Sequence, residues 1–350
     1  MAEAQETFTQ DVSLKEEAPV IADIKYGQLD KSIVDLLTDL ERTHFREDKP
    51  VDFCGLKVYP VQVRDFEAFS ACTSCLTLNK NEDKDGLRLS HLDYLLSRTQ
   101  LEKEGQMWSY KIQRLCELVF HIQNGLKCSK CGRIISYDSP EFKDFLSQVR
   151  KALVALDKKE NAGEEAENSE ENAPPSLHCP ECDGTEFTEM IKIVKDENSK
   201  KLSLSIDGHL INSKDFTVLR QLILYQNFYD YVDDSWVDPE VKRDHDERVR
   251  MEQERNDLHA SIEKKVVCLA ISTHYTCEEI YDMSIRRFTL ALATVDDLIN
   301  YKIMKQSVMS GFVSLPKGKN VEHWIYKPNK DMYGDAYKST DQIQSDVSNL

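Results

Sequence analysis

No stretch of this chain approaches the roughly 20 consecutive apolar residues that a helix needs to cross a bilayer. The opening, Met1 to Glu17, has neither a basic start nor an apolar run, so it is not expected to act as a secretory signal. Three catalytic signatures are missing as well: a glycine-rich phosphate loop, a nucleophile elbow and a paired acid–base motif. Without them no residue is a candidate for catalysis, and a non-enzymatic protein is the expectation. Positive charge is also short, with 45 Lys and Arg against 62 Asp and Glu and a net charge of -17. That balance argues against a broad nucleic-acid surface and against binding to anionic membranes. No internal repeat is found.

What is present begins with bulk. The chain has 350 residues, 40% of them apolar, with 14 Tyr and 13 Phe, which is enough for a sizeable core in one or two domains. Ten cysteines without a secretory signal read as reduced thiols plus a metal site, in a chain that folds in a cytoplasm. Four of them form two CxxC pairs, Cys128–Cys131 and Cys179–Cys182. Such spacing lets both sulfurs of a pair reach one tetrahedral metal ion. Gly132 and Gly184 follow the pairs, and glycine there lets the chain turn back under a metal. Four thiolates close a structural Zn²⁺ site and leave no position open for catalysis. The rival readings are two redox pairs, or His178 standing in as a ligand beside Cys179.

The expected fold class is α+β, mainly helical: a zinc-ribbon module with a helical insertion, set between two helical regions. Residues 1–28 read as a disordered tail. Residues 29–125 read as mostly helical with a short strand or hairpin. Ile33, Leu36, Leu37 and Leu40 share one helical stripe, and Phe53 to Val63 alternates as a strand that Pro60 places at an edge or splits. Ser90 with Asp93 resembles a capping box. Trp108 to Phe120 repeats at helical spacing, and Asn124–Gly125 is the expected stop.

Residues 126–211 form the metal module. Between the pairs lie 47 residues, Gly132 to His178. Ser139-Pro140-Glu141 starts a helix whose apolar face runs from Phe142 to Leu156. Residues 160–171 then hold six Glu and no Lys or Arg, followed by Pro174-Pro175, the mark of a solvated loop. Met190–Val194 and Leu202–Ile206 read as a hairpin. Residues 212–335 read as helical, the longest helix carrying Ile285, Phe288, Leu292, Val295, Ile299 and Ile303 on one face and ending at Gly311. Residues 336–350 read as a second polar tail.

Other signals are weaker. Cys72 and Cys75 form a third CxxC inside an apolar helical pattern, where buried free thiols are the commoner outcome. Asp244-His245-Asp246 sits in a charged run and reads as a solvated helix face. Tyr225 to Trp236 gathers Tyr225, Phe228, Tyr229, Tyr231 and Trp236 against three carboxylates. It is either a helix end folded onto the core or a contact patch in which Tyr229, Tyr231 and Trp236 bind a partner.

Two blocks of wording carry a resemblance. One runs from Lys214-Asp215-Phe216 through Leu224-Tyr225-Gln226-Asn227 and Asp233-Asp234-Ser235 to Asp238-Pro239-Glu240. The other joins Met283 to Phe288, Tyr301-Lys302-Ile303, Met309-Ser310-Gly311 and His323-Trp324, and Gly55 to Val61 with Asp65-Phe66 adds an opening strand and helix. Together they resemble tail or baseplate assembly proteins of large tailed bacteriophages, in the tail-assembly chaperone or baseplate hub group. The metal module departs from the smaller chaperones of that group. The resemblance implies phage tail, tape-measure or baseplate proteins as partners, and a place in the host cytoplasm during assembly or in the virion. The alternative is a zinc-ribbon adaptor of a transcription or replication machine.

The acidic loop generates a first prediction. Replacing residues 160–175 with a Gly/Ser linker leaves the thermal midpoint within about two degrees, because nothing is buried and loop closure entropy varies slowly with length. A circular-dichroism melt that falls further would show that the segment packs.

Overall fold

A computed structural model of the chain describes residues 31–80, 86–162, 176–195, 202–231, 237–255, 260–315, 320–321 and 323–325. The expected tails at 1–28 and 336–350, and most of the acidic loop, lie outside the described residues. The chain divides into two compact units: Asp30–Val61 with Glu67–Leu224, and Gln62–Phe66 with Tyr225–Leu350.

The first unit is helical with three small antiparallel sheets, which bears out an α+β class. It opens with α1 (Lys31–Thr43), whose Leu37 and Leu40 are buried. The segment expected as one strand is instead a hairpin of β1 (Val51–Phe53) and β2 (Leu56–Val58), with Phe53 paired to Leu56. The reason is the pair between them. Cys54 (φ 50°) and Gly55 (φ 81°) are both left-handed, the backbone that a two-residue hairpin turn demands. Val51, Phe53, Leu56 and Val58 point inward, while Asp52 and Lys57 face out.

Three helices follow: α2 (Phe66–Thr77), α3 (His91–Arg98) and α4 (Gly105–Phe120). The Ser90 cap is present, its hydroxyl accepting the Asp93 N–H at 3.0 Å and donating to the Asp93 carboxylate at 2.6 Å. The α4 helix stops before the expected Asn124–Gly125. His121 takes the left-handed conformation (φ 53°) and stacks on Tyr59 at 4.1 Å, while the Tyr59 N–H takes up the Val119 carbonyl. A ring stack and a strand-to-helix hydrogen bond thus do the work of a glycine stop.

Next come β3 (Gly125–Cys128), β4 (Ile134–Ser136), α5 (Pro140–Ala162) and the strands β5 (Phe187–Glu189), β6 (Ile191–Lys195), β7 (Leu202–Ile206) and β8 (His209–Ile211). They make two three-stranded sheets, ordered β4-β3-β5 and β6-β7-β8. The expected β6–β7 hairpin is observed, with Ile191 opposite Ile206. The α5 start is as expected, Ser139 Oγ accepting the Phe142 N–H. Its apolar face is another matter: Leu146 and Val154 are exposed, and Phe142, Phe145 and Val149 are only half-buried.

The last helix of this unit, α6 (Ser213–Asn227), begins in the first unit and ends in the second. Asn212 caps it, its Oδ1 accepting N–H groups from Lys214 and Asp215. Phe216, Leu219, Leu222 and Ile223 are buried. Arg220 is buried among them, and its Nε donates to the Leu76 carbonyl at 2.7 Å.

The second unit holds α7 (Pro239–Arg255), α8 (Ile262–Ser272), α9 (Cys277–Tyr281) and α10 (Ile285–Met309). Its core is Val63, Val266, Leu269, Ile280, Met283 and Phe288. The backbone of Val63 donates to the Met283 carbonyl at 2.9 Å, and Arg64 pairs with Asp282. The last three starts are capped by hydroxyls, Ser261 for α8, Thr276 for α9 and Ser284 for α10, while at α7 the Asp238 carboxylate accepts the Glu240 N–H at 2.9 Å. Thr276 and Glu279 form a capping box, and those hydrogen bonds hold the Glu279 carboxyl below its ordinary pKa. With a depressed folded value, this cap is fully present above about pH 4.5 and is lost as pH falls through the folded pKa. Along α10 the apolar stripe is unevenly used. Ile285 and Phe288 are buried, Leu292 and Val295 pack against the core, and Ile299 and Ile303 are exposed.

Leu269 is fully buried at the centre of this unit. Leu269→Ala should cost about 2–5 kcal/mol through lost burial and the cavity left behind. Urea unfolding monitored by circular dichroism checks it.

Candidate metal centre

The first cysteine turn grows out of the β3–β4 hairpin. Leu126 pairs with Ile135, and Lys127 with Ile134, so Cys128 stands at the end of β3, the central strand. The Cys128 N–H then donates to the Arg133 carbonyl at 2.8 Å, and the Gly132 N–H to the Cys128 carbonyl at 2.9 Å. Gly132 is left-handed (φ 75°), as its place in the sequence predicts.

The second turn repeats this design with different residues. The Cys179 N–H donates to the Gly184 carbonyl at 2.9 Å, and the Asp183 N–H to the Cys179 carbonyl at 2.8 Å. Here the left-handed residue is Asp183 (φ 56°), and Gly184 does something else. A Cβ on Gly184 would lie 3.3 Å from both Cys128 Sγ and Cys182 Sγ. The sequence reading assigned the turn to this glycine. Its actual requirement is space beside two sulfurs, which no local pattern reveals.

Strand β5 brings the turns together. It pairs with β3 on the side away from β4, setting Phe187 opposite Cys128, and the Ser129 N–H reaches the Glu186 carbonyl at 2.9 Å. Arg133 bridges the turns through Glu181 at 2.9 Å, and Lys130 Nζ donates to the Cys182 carbonyl. All four sulfurs consequently lie within 4.8 Å of one another, forming the one group of metal-ligating side chains among the described residues.

The electrostatics of this cluster follow from its crowding. Backbone N–H groups point at the sulfurs: Cys131 and Lys130 at Cys128, Arg133 at Cys131, Glu181 and Cys182 at Cys179, and Gly184 at Cys182. Those donors favour thiolates. The Cys131 N–H foremost draws Cys128 down to about 7, and the Glu181 N–H foremost lowers Cys179. Cys131 goes the other way, to about 12, because desolvation and the surrounding sulfurs outweigh its Arg133 N–H. Cys182 is likewise raised, its Gly184 N–H being outweighed in the same manner. Four adjacent sulfurs cannot all carry charge without a cation. A tetrahedral ion bonded to sulfur at ~2.3 Å removes the conflict and satisfies all four at once.

His178 is not part of this set. Its Nε2 meets Ser176 Oγ at 2.7 Å and its Nδ1 meets Asp183 Oδ1 at 3.0 Å, which occupies both ring nitrogens. Asp183 is thereby doubly used, as turn residue and as the anchor of His178. Cys72, Cys75 and Cys116 are buried, and desolvation pushes all three thiols up, Cys75 to about 12. They belong to the apolar core. Asp244-His245-Asp246 lies on α7, with His245 Nδ1 3.4 Å from Asp246. His323 lies beside Tyr301 and Trp324.

The aromatic stretch after α6 is partly visible. Tyr229 and Tyr231 are half-buried, Tyr231 meets Tyr225 edge-on at 5.1 Å, and Trp236 lies outside the described residues. Arg286 Nη1 donates to the carbonyls of Tyr225 (2.6 Å) and Phe228 (3.2 Å). A cation thus sits at the carboxyl end of α6, where orphan carbonyls need a donor.

Fold and site define a chain of two units, the first carrying four thiols close enough together to hold one metal ion. Residues 252–329, which take in α8 to α10, match the family model of the YomV second domain. No curated protein and no solved structure matches the chain.

The crowding at Gly184 gives a prediction. Gly184→Val should weaken metal binding by about tenfold or more, roughly 1.4 kcal/mol, because the new carbons press on two ligand sulfurs. Competition with a chelator measures it. Cys128→Ser with Cys179→Ser should abolish the metal altogether, and unchanged metal content in that double variant would refute the site.

Proposed function

We propose that this chain is a non-enzymatic phage protein that assembles or builds the tail or baseplate through protein contacts, with Zn²⁺ closing its four-cysteine site. The observation that carries the reading is the match of residues 252–329 to a domain of YomV, a Bacillus phage SPbeta-region protein. The four-sulfur set supports the structural role of the metal. A centre with all four positions taken by protein offers no vacancy for substrate, so its chemistry is to hold β3, β4 and β5 in register. Zinc fits best because thiolate softness and tetrahedral preference coincide in it.

The working surface is assigned to the carboxy-terminal helices, with Tyr229, Tyr231 and Trp236 as anchors and phage tail, tape-measure or baseplate proteins as partners. The α7 helix is charged nearly all round and mostly exposed, which leaves its surroundings accessible. The place of action is the host cytoplasm during assembly, or the virion. A nucleic-acid adaptor is disfavoured by the charges at the metal centre: Lys127 is engaged by Asp207 at 2.6 Å and Arg133 by Glu181 at 2.9 Å.

Two measurements test this. Tyr229→Ala, Tyr231→Ala and Trp236→Ala should each weaken capture of tail or baseplate proteins by more than ~1 kcal/mol while far-UV spectrum and zinc content hold. Unchanged capture would move the surface elsewhere. A salt-dependent shift on DNA or RNA would instead favour the adaptor.

A further inference from the structure

The four sulfurs are unequally placed. Cys128 and Cys179 are buried, Cys182 is half-buried, and Cys131 is exposed. Two close sulfur pairs join opposite turns: Cys131 meets Cys179 at 3.4 Å, and Cys128 meets Cys182 at 3.5 Å. An oxidant arriving from solvent therefore finds one sulfur first, and that sulfur has a sheltered neighbour already in reach. The three core thiols at Cys72, Cys75 and Cys116 are shut away by burial, while Cys268 and Cys277 are exposed but belong to no such group.

We propose that the metal centre doubles as a peroxide-sensitive thiol switch, in which Cys131 is oxidised first and Cys179 closes a disulfide onto it. The inference rests on the four-thiol metal reading. In the first step Cys131, which a bound cation holds as a thiolate despite its raised pKa, attacks hydrogen peroxide and takes up one oxygen. The O–O bond breaks, and with one proton the leaving hydroxide becomes water. In the second step the Cys179 thiolate attacks the Cys131 sulfenic acid, forming the S–S bond and releasing the oxygen as a second water with one more proton. Two thiolates, one peroxide and two protons thus give one disulfide and two waters. With two of its four ligands consumed, the site no longer retains a divalent cation. The Cys131–Cys179 bond then replaces the metal as the link between the β3–β4 hairpin and the second turn. Cys128 and Cys182 stand ready to close a second bond in the same way.

The test uses the full chain with its metal content measured beforehand. Hydrogen peroxide is added, zinc release is read with a chromogenic chelator, and disulfides are mapped without reduction. Trypsin separates Cys128-Ser129-Lys130 from Cys131-Gly132-Arg133, and a glutamate-specific protease cuts between Cys179 and Cys182 after Glu181. The expected result is loss of the bound zinc together with a Cys131–Cys179 linked peptide, reversed by dithiothreitol and zinc. Cys268→Ser with Cys277→Ser should leave release unchanged. Zinc that stays bound while Cys268 and Cys277 oxidise overturns the switch alone, as does a Cys128–Cys131 bond or a sulfinic acid in place of the cross-turn bond. A chain that carries no metal at the outset overturns the metal reading and the switch with it.

Discussion

Mutual repulsion among four sulfurs is the constraint around which the first unit is arranged. Within one small volume the chain gathers four groups that want charge, and it supplies six inward-pointing N–H groups to ease their ionisation. Those donors go only part of the way, as the opposite displacements of Cys128 and Cys131 show. A bound cation would complete the neutralisation. The surrounding geometry then becomes intelligible: Gly132 and Asp183 supply the left-handed corners, Gly184 stands aside, and β5 pins one turn against the other.

The second unit solves a different problem with different means. It has no sheet among its described residues, and its helices are fixed by their ends. Hydroxyl caps start α8, α9 and α10, and the left-handed Gly311 ends α10. Arg286 closes the end of α6 from within the same unit. Its small core spans only the first half of α10. The exposed Ile299 and Ile303 continue the same stripe beyond that core. The domain-scale match to YomV covers this part of the chain.

Features written in local spacing were legible beforehand. The two cysteine pairs named all four members of the sulfur cluster, Ser90 named its helix start, and alternation named the β6–β7 hairpin. What escaped depends on contacts distant in sequence. His121 ends α4 because Tyr59, some sixty residues earlier, offers a ring to stack on. Gly184 matters because Cys128, on the other cysteine turn, comes close. The break at Cys54–Gly55 was obscured because cysteine is a poor indicator of a left-handed turn. The apolar face on α5 is legible but its exposure is not, because periodicity reports which residues share a face and not whether a neighbour covers it.

Between the sheet that carries the cysteine turns and the second sheet stands a single residue. Met190 separates β5 from β6, buried, with its N–H held by the Gly125 carbonyl and its own carbonyl held by the Asp207 N–H. Lys127 and Asp207 tie the same corner with an ion pair. A strand clamped at such a pivot cannot tilt on one side without tilting on the other. Any slackening at the cysteine turns is therefore delivered by leverage to β7 and β8, and through Ile211 to the foot of α6. The thiol centre, small and close to the surface, has a mechanical reach well beyond its four sulfurs.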